Sequence, residues 1–539
     1  MKEGKPWLKH YDAGVPHQLD CPELCIHDLL TNQANKLSTK AAVICGEDSV
    51  SYGEVDELAR NFAHHLLRLG IKPGDRVGIC LANSIEFVVS FFGILRAGGI
   101  VAAMNPSFPR RELQFQLATT GMKLVITSLD KIEDFTNQDC SIQPDRLIVV
   151  GDVTALSWNS RILSYDACTC KPNVVIDLPV VHPSSPAVVQ FSGGTTGTPK
   201  AALGSHRNIV ANVTQFRHWL VILEDGKETF LIAIPLYHVY GLVLGLVLGV
   251  ASGATMIFVK NPGNIEEVMK AIDQHPISYF PAVPSIFNMI NQHPGVARGE
   301  HVLNKIKACI SGSAPLMEAV RVTFEKATGG FLVEGYGLSE APTATHCNPI
   351  QGEKRSGSIG IPLPDVDCRI VSLADSSQDV EVGKEGELLI SGPQVMLGYF
   401  NDPEETAKVL SDGWLHSGDV ARMDKDGYFY LSGRIKELIK VHGMQVWPVE
   451  VEAVITQHPD VLECAVAGVP DDVMGERVKA WVVLRPNAEL NLVELKKFCT
   501  GLLAAYKIPG EMRICQSLPK THVGKVLRQE LVREHNEGR

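Results

Sequence analysis

The sequence predicts an α/β protein with a large layered body, a small β-rich subdomain and a compact α+β tail. Three observations predict it. Helix-like and strand-like stretches alternate through the first third and again after Ala187, the pattern of parallel strands with covering helices. Between Gly357 and Asp419 the texture changes to short apolar runs, DCRIV and GELLI, separated by Gly, Pro and Asp. After Gly433 it changes again, into a stretch of roughly the hundred-residue size that folds alone.

The elements follow in order. Residues 52–69 carry apolar side chains at helical spacing, 75–81 (DRVGICL) read as a buried strand, and 86–97 are helical again. Strands are expected at 187–191, 230–235, 255–259 and 306–311, with a helix at 265–274. In the tail, 450–457 and 492–503 read as helices, and 465–469 and 479–484 as strands. The chain has no internal repeat and no low-complexity tract.

At 539 residues and 45% apolar composition, the chain exceeds one hydrophobic core and has material for several. Its net charge of −11 argues against a nucleic-acid binder and repels anions at long range, so any anionic ligand needs a local positive site. The thirteen cysteines are irregularly spaced, and the closest pairs, Cys21 with Cys25 and Cys168 with Cys170, lack a second pair or histidines at ligand spacing. Reduced thiols are expected. The N-terminal MKEGKPWLKHYDAG has no apolar signal region and the final Glu537-Gly538-Arg539 is no peroxisomal tripeptide, which gives a cytoplasmic expectation. One run, 239–258, is twenty uncharged residues, long enough to span a bilayer. Its four glycines, the adjacent Pro235 and His238 and the lack of a basic flank favour a helix buried in the core, with peripheral membrane contact left open.

The stretch FSGGTTGTPKA, residues 191–201, follows an expected strand and sets three glycines and four hydroxyl residues ahead of Lys200. Backbone N–H groups and hydroxyls of Ser192, Gly193, Gly194, Thr195, Thr196 and Gly197 can cradle phosphate oxygens, with Lys200 supplying charge. It is not a Walker loop, because Lys200 sits between Pro199 and Ala201. Taken alone it is also compatible with a plain Gly/Thr loop.

With this loop the chain resembles the adenylate-forming superfamily of acyl-CoA and aryl-CoA ligases, luciferases and peptide-synthetase adenylation domains, over nearly its whole length. The family's Thr-Ser-Gly-Thr-Thr-Gly-x-Pro-Lys-Gly maps onto 192–201, with Gly193 in the usual serine place. The resemblance implies an αβαβα body over 1–433, including a β-rich subdomain at about 357–433, and a small mobile lid over 434–539 that turns about a hinge at Lys436. SGSAPL (311–316) and EGYGLSEA (334–341) resemble the nucleotide-binding segments. They imply that Ser311, Gly312, Ser313, Ala314, Gly335, Tyr336, Gly337, Leu338 and Ser339 line the adenine and ribose, with Tyr336 stacked on the base. Glu340, with Thr195, is implied to bind Mg2+.

WLHSGDVARMD (414–424) and GRIKELIKVHG (433–443) imply Asp419 and Arg434 as holders of the ribose hydroxyls, and PKTHVGKVLR (519–528) implies Lys525 as the catalytic lysine. An isolated lysine in a Gly-Lys turn is usually a solvated group; five motifs in the family's order argue otherwise here. A second face carrying Lys440, Gly443 and Gln445 is implied to receive coenzyme A. His238, in PLYHVYG, sits where the family gates its acid pocket, and Tyr240, Leu242, Ala341 and Pro342 would line it. No basic residue stands out there, so an apolar acid is favoured.

The expected activity is an ATP-dependent, Mg2+-requiring carboxylic acid:CoA ligase that forms an acyl-adenylate and then a thioester, acting as monomer or homodimer. PWLKHYDAGVP, MNPSFPRREL and GPQVMLGY resemble long-chain fatty acid ligases and incline the acid toward a medium- or long-chain fatty acid. Tyr240 also suits hydroxycinnamate ligases, so an aryl acid, and a luciferase-like oxygenase, stay open. A peptide-synthetase module is disfavoured because no carrier domain follows Lys525.

Overall fold

The protein is described by a computed structural model covering residues 4–137, 143–156, 160–191, 199–442, 444–471, 474–521 and 525–537. Two large sheets form the body. The first has nine strands in the order Ile361–Pro362, Ala341–Cys347, Phe331–Leu338, Ala308–Ser311, Tyr279–Ala282, Thr229–Ile232, Thr255–Phe258, Ala41–Cys45 and Asp48–Ser51, parallel except at its two edges. The second has eight, in the order Gly398–Tyr399, Ala201–Ser205, Pro186–Phe191, Ile100–Ala103, Arg76–Cys80, Leu124–Ser128, Arg146–Val150 and Ile162–Ser164.

Helices fill the space between the sheets. Ile85–Arg96 touches strands of both and is buried nearly all round, as its almost uninterrupted apolar sequence requires. His206–Trp219 likewise meets Ala341–Cys347 of one sheet and Ala201–Ser205 of the other. Tyr52–Arg68 begins at a capping box in which Ser51 accepts from the Glu54 N–H. Inside, Asp56 forms a buried ion pair with Arg96 of the neighbouring helix. This is the layered α/β body expected from the alternation.

The apolar run 239–258 resolves into two elements. Gly241–Val247 winds as a π-helix that continues as the α-helix Leu248–Ala251; the chain then reverses at Gly253 (φ +62°) and enters the strand Thr255–Phe258. The run therefore covers two core elements, and among the described residues no helix is long and apolar enough to cross a membrane.

The β-rich portion is an antiparallel five-stranded sheet of Asp367–Val371, Gly386–Ser391, Leu410–Ser411, Trp414–Met423 and Phe429–Arg434. The tail holds a second five-stranded sheet, in which the long hairpin Val461–Asp471/Gly475–Leu484 is flanked by Ile439–Val441, Met444–Val446 and Glu511–Ile514. Two apolar clusters of its own fill this tail, separate from the body's core. The described cysteines are free thiols. Folding also brings Cys25, His27 and His206 within 4.8 Å of one another, a proximity that sequence spacing conceals. There the Cys25 thiol donates to the Val181 carbonyl (3.3 Å) and His206 Nδ1 accepts from the Ile26 N–H (3.2 Å), seating one helix on another.

Candidate active site

The site is built first from a tight hairpin. Leu338 pairs with Ala341 across the antiparallel strands Phe331–Leu338 and Ala341–Cys347, which leaves Ser339 and Glu340 as the turn. Gly337 is required there, because a Cβ would lie 1.6 Å from the Thr343 carbonyl oxygen. The Glu340 carboxylate accepts from the Tyr399 hydroxyl (2.8 Å), and its carbonyl accepts from the Met396 N–H (2.9 Å). Two positions before Leu338, the Tyr336 hydroxyl donates to Asp419 Oδ2 at 2.5 Å and its ring meets His346 edge-on.

Next to this hairpin the parallel strand Ala308–Ser311 ends in the SGSAPL turn. Ser311 is fully buried, the Gly312 N–H donates to the Ala282 carbonyl (3.2 Å), and Ser313 adopts a left-handed φ of +71°. Gly312 is pressed on the Tyr240 ring; its Cβ would lie 3.2 Å from Cε1. The Gly335 and Ala314 segments flank the same strand ends, where α/β sheets characteristically bind ligands.

The β-rich sheet supplies the second wall. Asp419 and Arg434 are cross-strand partners, and Arg434 Nε lies 2.9 Å from Asp419 Oδ1. Gly418 turns with φ +69° and the Asp419 N–H donates to Ser417 Oγ (3.1 Å), which directs a carboxylate only 4% exposed into the site. That carboxylate raises the Arg434 pKa above its ordinary value.

The tail supplies Lys525. It is joined to Thr521 by two hydrogen bonds, Thr521 N–H to the Lys525 carbonyl (2.8 Å) and Lys525 N–H to Thr521 Oγ1 (3.1 Å). Just beyond, Arg528 is gripped by Glu452 (2.8 Å) and Glu437 (3.0 Å). Burial, then the nearby Arg434 charge, push the Lys525 ammonium down to about 8, while Asp419 and Glu437 oppose the shift. His238 is held down to about 4 by burial and by the positive charge of Lys525. Its Nδ1 accepts from the Tyr240 N–H (3.3 Å), which leaves the proton of the neutral ring on Nε2. Body, β-rich sheet and tail thus meet around one lysine, separated from His238 by most of the chain.

The other expected residues fall into three groups. Ser192, Gly193, Gly194, Thr195, Thr196 and Gly197 lie outside the described residues, as does Gly443. Lys200 is described; it pairs with Glu405 and sits over the Tyr399 ring, 5.1 Å from the centroid. Lys436, Lys440 and Gln445 are exposed on the tail, the last two as cross-strand partners, whereas Lys525 is half-buried. Of the expected pocket residues, Leu242 and Pro342 line a small space of about 10 Å³ together with Gly204, Val239 and Ser339. Ala341 is fully buried, and Tyr240 is tied down by its hydroxyl, which donates to the Ile310 carbonyl (2.7 Å).

Two residues at the site carried no sequence expectation, Tyr399 and Glu405. Tyr399 lies inside GPQVMLGY, read only as a family phrase; Glu405 follows in NDPEET, where Asp402 and Pro403 signal a capped helix without indicating its target. The carboxylates fit a hard cation, since Glu340 engages one oxygen with Tyr399 and retains a second.

The AMP-binding enzyme family model matches residues 30–400, and that of the AMP-binding enzyme C-terminal domain matches 450–525. The long-chain-fatty-acid–CoA ligase of Bacillus subtilis (strain 168) is 36% identical over 561 aligned residues, covering 100% of this chain and 99% of its own. Among solved structures, ATP-bound MatB from Rhodopseudomonas palustris superposes with a TM-score of 0.85 at 25% identity, over 95% of this chain and 99% of that one. The anthranilate CoA ligase AuaEII in complex with anthranoyl-AMP gives 0.86 at 25% identity, over 96% and 99%. With both family segments in order and relatives that span its full length, the chain belongs to the AMP-binding enzyme family and is an adenylate-forming acyl-CoA synthetase.

Proposed function

We propose that the protein activates a medium- or long-chain fatty acid as its acyl-adenylate and transfers the acyl group to coenzyme A, releasing pyrophosphate and AMP. The observation that carries this reading is the meeting of Lys525 with Arg434, Asp419 and His238. Full-length similarity to the Bacillus subtilis fatty acid ligase and the apolar lining at Leu242 and Pro342 support a fatty acid over an aryl one.

In the first step the fatty carboxylate oxygen attacks the α-phosphorus of ATP and the bond to the β-phosphate oxygen breaks. Lys525 offsets the negative charge that develops between attacking and leaving groups. The loop 192–197 and Lys200 hold the triphosphate, Tyr336 offers a ring face to adenine, and Asp419 accepts from the ribose hydroxyls beside Arg434. Glu340 and Thr195 would hold Mg2+, whose charge neutralises phosphate oxygens. His238 stays neutral at physiological pH, so its Nε2–H can donate to the acyl carboxylate without adding charge next to Lys525.

In the second step the CoA sulfur attacks the acyl carbonyl carbon and AMP leaves. The lid, residues 434–539, turns about Lys436 after adenylation, withdrawing Lys525 and presenting Lys440, Gly443 and Gln445 to the pantetheine arm. Gly443 leaves room for that arm close to the backbone.

A pyrophosphate-release screen over C2 to C18 fatty acids and aryl acids, with and without CoA, tests the reading. Turnover should peak among the longer fatty acids and require CoA for thioester. Pyrophosphate release with no CoA-dependent thioester would remove the ligase assignment, and a preference for aryl acids would remove the fatty acid.

A further inference from the structure

Glu340 and Lys200, two residues of the proposed nucleotide site, share one partner. The Tyr399 hydroxyl donates to Glu340 Oε1 at 2.8 Å, and the Lys200 ammonium lies 5.1 Å from the centroid of the same ring. An ammonium over a tyrosine face is attracted by the ring's quadrupole. Glu405 pairs with both Lys200 and Lys408.

The backbone fixes this placement. Gly398–Tyr399 pairs antiparallel with Ala202 and Leu203, on the strand that leaves the phosphate loop. The Leu397 N–H donates to the Leu203 carbonyl (2.8 Å) and the Phe400 N–H to the Ala201 carbonyl (2.7 Å). One residue earlier, the Met396 N–H donates to the Glu340 carbonyl (2.9 Å). The segment is therefore stitched to the loop exit on one side and to the Glu340 turn on the other. Tyr399 itself is anchored by Thr406, whose Oγ1 accepts from the Tyr399 N–H (2.9 Å). The approach of that threonine requires Gly398, where φ is +143° and a Cβ would lie 2.8 Å from Thr406 Cγ2.

The residue is 9% exposed, and its hydroxyl meets the carboxylate as the donor of the 2.8 Å bond. A carboxylate that accepts one such bond is fixed in orientation, and orienting partners of metal-binding carboxylates tune affinity.

We propose that Tyr399 is the positioning residue of the magnesium carboxylate: its hydroxyl holds one oxygen of Glu340, leaving the other for the cation, while its ring carries Lys200 alongside. This rests on the reading of Glu340 as the magnesium ligand. The Phe variant removes the hydroxyl and keeps the ring, so it separates orientation of Glu340 from support of Lys200.

The test is calorimetric binding of a non-hydrolysable ATP analogue to the full-length wild type, Tyr399→Phe and Glu340→Gln, each in Mg2+ and in EDTA. Tyr399→Phe should lose roughly tenfold in affinity in Mg2+ and keep wild-type affinity in EDTA. Equal losses in both buffers would make Tyr399 a structural residue, and an unchanged Mg2+-to-EDTA ratio would remove its role; either overturns the proposal. Glu340→Gln separates the premise from the inference. If it keeps the wild-type ratio, Glu340 is not the magnesium ligand; if it collapses the ratio while Tyr399→Phe does not, only the role of Tyr399 falls.

Discussion

Asp419 and Arg434 face each other across an antiparallel hairpin and are joined by a 2.9 Å contact between Oδ1 and Nε. With Tyr336 on Oδ2, both carboxylate oxygens already have a partner, and the remaining lone pairs are those that the proposed ribose contact would use. Asp419→Asn keeps the shape, replaces an acceptor by a donor that faces donors, and removes the charge beside Arg434. We expect the KM for ATP to rise roughly tenfold or more, the size of a lost hydrogen bond to a charged group. Wild type should also discriminate between ATP and 3′-deoxy-ATP, and that ratio of kcat/KM should shrink toward one in the variant. A preserved ratio would separate Asp419 from the ribose.

The role proposed for Lys525 gives the adenylation half-reaction a pH limit. Its pKa is depressed from 10.5 to about 8, so the folded protein releases this proton at lower pH than the unfolded chain does. The charge proposed for the first step is present below pH 8 and is lost as pH rises through that value, and kcat/KM for ATP should fall there. The stability consequence has the same origin: burying the ammonium costs stability below about pH 8, and the cost is relieved as pH climbs toward 10.5. Lys525→Ala should abolish adenylate formation and spare thioester formation from supplied acyl-adenylate. Equal loss of both halves would argue that Lys525 serves the fold and not the first step.

The fold was legible where local chemistry dominates. The helix Ile265–Gln274 was readable to the residue, because Asn264 caps it and its apolar face is continuous. The tail strand expected at 465–469 extends over Val461–Asp471, since strand length depends on pairing with Gly475–Leu484 and not on its own residues. The apolar run 239–258 concealed the reversal at Gly253, a single left-handed glycine among four. At the site, motif order pointed to Asp419, Arg434 and Lys525, while physical pattern alone would have left each a turn residue or a solvated charge. Tyr399 stayed silent because its bond to Glu340 spans 59 positions and arises from the pairing of two short strands.

Gly337 offers a stability test of the hairpin proposed to hold the nucleotide. A methyl there would meet the Thr343 carbonyl oxygen at 1.6 Å and the Ala344 Cα at 2.6 Å, both backbone atoms of a paired strand that cannot rotate away. Gly337→Ala should destabilise by about 3 kcal/mol, the upper range for overpacking, and lower the thermal midpoint. Any folded fraction should bind nucleotide poorly, because Tyr336 and Glu340 flank the displaced residue. Gly263→Ala is the control: its nearest neighbour is the Asn261 side chain at 3.4 Å, and its midpoint should stay within the roughly 0.5 kcal/mol typical of surface changes.

Gly204 tests where the acyl chain runs. It lies on the strand Ala201–Ser205 and borders the small space shared by Leu242, Pro342 and Ser339. A Cβ there makes only ordinary contacts, 3.5 Å to Pro342 Cγ and 4.0 Å to the Val188 carbonyl oxygen, so Gly204→Ala can be folded in without moving the sheet. The added methyl would border the space itself, which at about 10 Å³ is far smaller than pockets for drug-sized ligands, roughly 300–1,000 Å³. A long chain must therefore open this region on entry, and added side-chain volume opposes that opening. Short acids that stop near Pro342 have no such requirement. We expect kcat/KM for C16 acids to fall roughly tenfold or more relative to C4 acids, the scale at which one or two methylenes are discriminated in an apolar pocket. The ATP KM should remain at its wild-type value, which separates a blocked acyl path from a disturbed nucleotide site. An unchanged C16-to-C4 ratio would route the chain elsewhere in the body.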